Sequence, residues 1–314
     1  MKVIVTGCMG FIGSNLVPYL LNNGFEVIGI DNLLNPSLMP TDRMKAATPH
    51  WDKFKFWNAD IRDLQIMYSI FVNEQPNDVI HLAALGSVPR SWDQPGLVTD
   101  INERGFINVL QAATAVKCRR FVFASSSSVY GPTDKNVKWE GQQVYPASPY
   151  ALTKLNNERF AHLWCFTSGM EWMALRFFNV YGPGQRFDSD YSAVIPKWIK
   201  SDPITIFGDG TTIRDFTYVA DVCRGIFKSL ICKERNEIIN IGTGFGTNLE
   251  TLATTIQSII PKEIKHGDFR PGDSRISIAD PNKMQNILGL KSMSKIEDGL
   301  KETIAFYQSL DGKG

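Results

Sequence analysis

The sequence predicts an α/β protein, a doubly wound parallel sheet with helices on both faces followed by a smaller C-terminal α/β unit. Three observations carry this. Short β-branched runs alternate with amphipathic helical segments from residue 2 to about residue 180. The first run ends in a turn with glycine at every third position that opens directly into a helix. Beyond about residue 181 the rhythm breaks into shorter strands and helices punctuated by Gly and Pro.

Lys2 to Thr6 (KVIVT) reads as a buried strand ending in Gly7. Gly10 and Gly13 complete Gly-x-x-Gly-x-x-Gly, while Phe11, Ile12, Leu16 and Leu20 supply the apolar stripe of a helix that Gly24 closes. Glycines at that spacing let the backbone approach a pyrophosphate, whose charge is met by the amides and dipole of the helix N-terminus. EVIGID (26–31) is a second buried strand ending in an acid. Asp31 falls where a carboxylate can take both hydroxyls of an adenosine ribose. A 2′-phosphate there would face a like charge, costing roughly 4 kcal/mol at about 4 Å and an effective dielectric of about 20, so NAD rather than NADP is expected.

FKFWN (54–58), DVIHLAA (78–84) and RRFVFASS (119–126) continue the strands. Helices are expected from about Asp63 to Glu74, from about Pro95 to Val116, and over the segment carrying Tyr150. EWMALRFFNVYG (171–182) reads as the last long strand of the sheet. The expected division is a Rossmann-type cofactor domain over 1–180 and a substrate domain over 181–314, with room for interleaved segments. In the latter, ITIFG (204–208) and EIINIG (237–242) read as short strands, and 219–231, 248–260 and 295–309 as helices. A ligand is expected in the cleft at the C-terminal ends of the parallel strands.

Chemistry concentrates in ASSSSVYG (124–131) and YALTK (150–154). Tyr150 and Lys154 are four apart and share a helix face. Holding a phenol of pKa ~10 partly ionised near neutrality needs a shift of about three units, roughly 4 kcal/mol, and one cation at about 4 Å in an effective dielectric of about 20 supplies that much. By itself Tyr-x-x-x-Lys is usually a solvated helix face. Beside a glycine turn and Asp31 it becomes, with a serine, a site for oxidising a carbinol.

Composition bounds the remaining classes. With 33 basic and 32 acidic side chains the net charge is +1, which argues against a nucleic-acid partner. The cysteines (Cys8, Cys118, Cys165, Cys223, Cys232) are odd in number and lack Cys-x-x-Cys spacing, so reduced thiols in a cytoplasmic protein are expected. The four histidines are too scattered to suggest a metal site. No apolar run approaches the roughly 20 residues of a membrane span, and a first strand at residue 2 leaves no place for a signal peptide.

The glycine turn, Asp31, Asp60-Ile61, the serine cluster, YALTK and RFFNVYGPGQR (176–186) together resemble the extended short-chain dehydrogenase/reductases that act on nucleotide sugars. HLAALGSVPRSWDQP (81–95), YSAVIPKWI (191–199), GDGTTIRDF (208–216) and DFRPGDSRISIAD (268–280) narrow the resemblance to UDP-N-acetylglucosamine 4-epimerases. DNLLNPSLMP (31–40) departs from the family pattern, which usually has Thr-Gly after Asp-Asn-x.

The resemblance implies dinucleotide contacts from Gly7, Gly10, Phe11, Ile12, Gly13, Asp31, Asn32, Asp60, Ile61, Leu82, Ala83, Ala84, Tyr150, Lys154 and Phe178. It makes Ser126, Tyr150 and Lys154 the catalytic group. UDP-sugar contacts are implied for Ser87, Ser126, Ser127, Tyr150, Asn179, Ala193, Val194, Ile206, Phe207, Arg214, Arg270, Asp273 and Ser277. Two guanidinium forks, Arg214 and Arg270, suit a diphosphate. Ser277, three before Asp280, corresponds to the position facing the sugar's carbon-2 substituent, where a small side chain admits an N-acetyl group. Ser127 and Ser128 stand where dehydratases and decarboxylating relatives carry acids, and neither can do acid/base work near neutrality. The implied activity is NAD-dependent C4 epimerisation of a UDP-hexose, foremost UDP-N-acetylglucosamine/UDP-N-acetylgalactosamine, through a 4-keto sugar. The alternatives are UDP-glucose or UDP-glucuronate 4-epimerase, a 4-keto-sugar reductase and, further behind, a non-catalytic NAD sensor. The family's habit of pairing the helices at about 95–116 and 150–168 implies a homodimer.

Overall fold

Lys2–Thr6 forms β1 at the centre of the molecule because both of its faces are covered: Val3 and Val5 enter one apolar cluster, Ile4 the other, and none is exposed. In this computed structural model, which describes residues 1–133, 135–188, 192–268 and 276–311, the first half of the chain alternates strand and helix. The elements are β1, α1 (Phe11–Asn22), β2 (Glu26–Asp31), α2 (Pro40–Ala46), β3 (Phe54–Asn58), α3 (Leu64–Glu74), β4 (Asp78–His81), α4 (Val88–Asp93), α5 (Pro95–Thr99), a π-helical turn (Asp100–Arg104), α6 (Gly105–Ala115), β5 (Arg120–Ser126), β6 (Val137–Lys138), α7 (Pro149–Ser168) and β7 (Glu171–Phe177). Then come β8 (Asn179–Tyr181), α8 (Val194–Lys200), β9 (Ile204–Phe207), β10 (Ile213–Arg214), β11 (Phe216–Tyr218), α9 (Val219–Ile231), β12 (Glu237–Ile241), β13 (Thr247–Asn248), α10 (Leu249–Ile259), β14 (Ile264–Gly267), β15 (Ile276–Ala279), α11 (Asn282–Leu288) and α12 (Ile296–Asp311).

Seven strands pair in parallel in the order β12-β7-β5-β4-β1-β2-β3, a doubly wound sheet of Rossmann type. Membership of β12 corrects the reading of EIINIG as part of the smaller unit, and of β7 as the last strand of the sheet. Glu237 to Ile241 pair with Met173 to Phe177. Ile239 and Ile241 have no exposed surface, and the large sheet, covered on both faces, is where such a strand can be buried. The preceding helix α9 returns with it, packing Phe227 edge-on against Tyr19 (5.7 Å) and Phe25 (6.2 Å) beside α1. β6 crosses the other way, since Val137 and Lys138 pair with Ile278 and Ala279 in a sheet ordered β13-β10-β15-β6. The chain therefore passes repeatedly between its two parts, with β6 and β12 as interleaved segments.

Among the described residues no helix is long and apolar enough to cross a membrane and no group of metal-ligating side chains converges. All five cysteines are free.

Candidate active site

At the end of β1, Gly7 adopts φ +69° and passes so close to the next loop that a Cβ would lie 2.7 Å from the Ala83 amide nitrogen. A Cβ on Gly13 would lie 2.2 Å from the Gly7 carbonyl. Gly10, extended, caps α1. This bare backbone floors a cavity of about 740 Å³ lined by Gly7, Gly10, Phe11, Ile12, Gly13, Asp31, Asn32, Asp60, Ile61, Leu82, Ala83 and Ala84, with Ser87, Ser126, Tyr150, Lys154, Phe178 and Ala193 on its inner side. A cradle that any side chain would fill, opening on a helix N-terminus, fits a dinucleotide diphosphate.

Asp31 ends β2 with its carboxylate accepting from the amides of Met9 (3.0 Å) and Leu33 (2.8 Å). Burial raises its pKa and these donors pull against that. Asp60 is engaged by Arg62 (2.7 and 3.0 Å) and by Asn32 (2.9 Å), chiefly the Arg62 hydrogen bonds lowering it to about 2.

Strand β5 delivers the serine. Ser126 is its last residue, and its Oγ accepts from the Ser128 amide at 3.1 Å, capping a 3₁₀ turn over Ser127–Tyr130. Below it the strand is locked to α7, because Ser125 donates to Glu158 (2.5 Å) while Arg176 of β7 binds the same carboxylate bidentately (2.8 and 2.9 Å), all three buried. Helix α7 starts where the sequence dictates: Ser148 accepts from the Ala151 amide (3.1 Å) and Pro149 occupies the first turn. Tyr150 is thereby fixed in the first turn and Lys154 one turn below it.

The Lys154 ammonium donates to the Ala124 carbonyl at 3.0 Å and lies 6.0 Å from the centre of the Tyr150 ring. Burial lowers Lys154 to about 8. Burial also raises Tyr150, and the downward pull on the phenol comes from its hydrogen bond with Ser126. Desolvation is thus the largest influence on the phenol, and the ammonium, one turn away as the spacing predicts, bonds a backbone carbonyl.

Two groups were not singled out by the sequence. His81, at the end of β4, bonds Thr6 (2.9 Å) and is held neutral, its pKa lowered to about 3 by burial and by the charge of Lys154. Asn102, fully buried in the π-helical turn, accepts from the Leu85 amide (2.8 Å) and donates to the Leu85 carbonyl and Thr153 (3.2 Å each), tying the 82–85 loop to α7. The available signal was an asparagine on an otherwise apolar helix face.

The remaining expected sugar-nucleotide residues among those described do not line this cavity. Ser127 opens the 3₁₀ turn; Asn179 and Val194 adjoin the lining residues Phe178 and Ala193. Phe207 is exposed at the end of β9, and Arg214 and Ser277 face each other in the register of β10 and β15. Ile206 is a correction: its side chain has no exposed surface and belongs to the core, as alternation along β9 demands. Arg270 and Asp273 lie outside the described residues.

The family model described as GDP-mannose 4,6 dehydratase matches residues 4–303. A UDP-glucuronate 4-epimerase of Thermodesulfobacterium geofontis is 34% identical over 96% of this chain and 94% of its own. Two solved structures superpose along their length: a UDP-N-acetylglucosamine 4-epimerase from Methanobrevibacter ruminantium in complex with UDP-N-acetylmuramic acid (TM-score 0.91, 31% identity, 98% of both chains) and a UDP-glucose 4-epimerase from Thermus thermophilus with NAD (TM-score 0.88, 29% identity, 98% of this chain and 99% of that one).

Proposed function

This chain belongs to the extended short-chain dehydrogenase/reductases of the GDP-mannose 4,6 dehydratase family, and from that membership we infer a UDP-sugar 4-epimerase, working with NAD, whose preferred pair is UDP-N-acetylglucosamine and UDP-N-acetylgalactosamine. The observation that carries the choice of sugar is Ser277, a small half-buried side chain on β15 in register with Arg214. At the position where the resemblance puts the residue facing the sugar's carbon-2 substituent, a serine would leave room for an acetamide and could hydrogen-bond it.

Bound NAD would accept and return the hydride of the sugar's carbon 4. Tyr150 removes the proton of the 4-hydroxyl and gives it back, and Ser126, beside it in the same cavity, orients that hydroxyl. Lys154 supplies positive charge beneath them, anchored on Ala124. Ser127 and Ser128 add no acid or base, so the keto sugar has no group to eliminate water from it and is reduced again. Reduction on its other face gives the epimer.

A second reading is favoured by Arg90 and Arg186, which line the same cavity: two guanidiniums suit the carboxylate of UDP-glucuronate. One experiment separates them. Purified protein is incubated with UDP-glucose, UDP-N-acetylglucosamine or UDP-glucuronate without added NAD(H), and the C4 epimers are resolved by chromatography. N-acetylhexosamine turnover exceeding the other two supports the first reading, hexuronate turnover the second, and dependence on added NADH replaces both with a reductase.

The homodimer rests on α7, where Leu152, Leu163 and Phe166 form one outward stripe, 46, 66 and 85% exposed. Packing that stripe on a second copy about a two-fold axis would bury it.

A further inference from the structure

Arg43 of α2 is a half-buried guanidinium that meets no carboxylate among the described residues. It donates to Ser37 Oγ (2.8 Å), the Leu38 carbonyl (3.2 Å) and Ser14 Oγ (3.0 Å), and lies 5.3 Å from the centre of the Phe306 ring of α12. Three separate segments meet at this one side chain. Ser37 in turn donates its amide to the Met9 carbonyl (2.6 Å) and its hydroxyl to the Gly184 carbonyl (2.6 Å), while the Leu38 amide also reaches Gly184 (3.2 Å). Arg186 closes the same seam on the Pro36 carbonyl (3.3 Å). Residues 34–37 and 185–186 line the cavity, so the seam runs over the cleft at the end where α1 begins.

We propose that residues 34–38 and 183–186 form a clasp over the cofactor, and that Arg43 is the positioning residue that locks it and so governs how slowly NAD leaves. The proposal rests on the NAD reading above. Charge supports it: a cation desolvated without a counter-ion is costly, and burial lowers the Arg43 pKa to about 10. Ser14 and Ser37 hold that cation behind the N-terminus of α1, where a diphosphate would supply the missing negative charge. Geometry supports it independently, because a Cβ at Gly184, whose φ of +90° itself favours glycine, would fall 1.5 Å from Arg43 Nη1, so a side chain there would push the guanidinium out of this place. An arginine serving only to staple α2 would not need to bond the cleft-lining strap.

The test follows release of radiolabelled NAD from loaded holoenzyme into excess unlabelled NAD, for the parent, Arg43→Met, Arg43→Lys and Gly184→Ala. Loss of charge-assisted hydrogen bonds from the clasp should speed release roughly 10- to 100-fold in Arg43→Met. Gly184→Ala, which displaces the guanidinium without changing charge, should do the same, and Arg43→Lys should fall between. Activity lost on dilution of these variants should return when NAD is added in excess. If Arg43→Met does not fold, Arg43→Lys, which keeps the charge and loses the planar fork, decides instead. Release at the parental rate from a folded Arg43→Met or Gly184→Ala overturns the clasp while leaving the NAD reading intact. A parent that retains no label sinks that reading and the clasp with it.

Discussion

Replacing Lys154 by Met should make the protein stripped of NAD more stable and catalytically dead. The lysine is 2% exposed, its polar partner is the Ala124 carbonyl, and burial moves its pKa from 10.5 to about 8. A shift of that size corresponds to about 3 kcal/mol of destabilisation while both folded and unfolded chains carry the proton. Methionine matches the stem in volume and removes that cost, but forfeits a hydrogen bond of about 1 kcal/mol, leaving a net gain of ~2 kcal/mol and a Tm rise of about 4 °C. The sign has a pH signature. Below pH 8 the folded parent bears the full penalty; between pH 8 and 10.5 it sheds its proton before the unfolded chain does, so parental stability climbs and the advantage of the variant shrinks. Above pH 10.5 the variant is the less stable of the two by its lost hydrogen bond. Urea unfolding of both stripped proteins at pH 7, 9 and 10.5 measures this. A variant less stable than the parent at pH 7, or a gain that does not shrink with pH, would refute the reasoning.

Tyr150→Phe should lose at least the ~10² to 10⁴ of a positioned proton-transfer group while still copurifying with NAD, read from product formation and from cofactor absorbance. Gly13→Ala, whose methyl would press on the Gly7 carbonyl and Cys8, should abolish NAD copurification or folding; an NAD-loaded, active variant would contradict the cradle. Ser277→Tyr should depress N-acetylhexosamine turnover by roughly 5- to 150-fold, the scale of about 1 to 3 kcal/mol of overpacking, while sparing UDP-glucose, and an unchanged ratio of kcat/KM would remove Ser277 as the gate. Phe166→Glu, placing a charge on the exposed stripe of α7, should convert a dimer to monomer in light scattering without lowering Tm by more than about 2 °C.

The half of the molecule that binds cofactor is legible because its signals are local. Val3 to Val5 are apolar on both faces, and the glycine spacing places Gly13 against the backbone of Gly7 and Cys8 a few residues before it. The other half is built from pairings that link distant residues. β10 is two residues long, and its meaning comes from Ser277 beside Arg214. β6, two residues long, and β12, five, join opposite sheets, a choice made by which face needs covering and not by their own sequence. Asn102 and Arg43 escaped for the same reason, since each looks like an ordinary helix residue until a loop from elsewhere arrives at its side chain. The tyrosine–lysine pair taught a different lesson: spacing predicted the proximity, but not that burial would be the largest influence on both groups or that the lysine would bond the Ala124 carbonyl.

The route of β12 back into the large sheet limits how this enzyme could be recombined. A fragment ending at residue 180 would leave β7 as a bare apolar edge, inviting aggregation, and would strip α9 from the flank of α1. Grafting a different sugar-binding half onto this cofactor half by a single crossover would therefore fail at the level of folding. A workable chimera needs five junctions, keeping 219–241 with the cofactor half and sending 137–138 with the donor, and lineages that changed sugar preference in such a scaffold would do so more readily by point substitution than by exchange of whole segments.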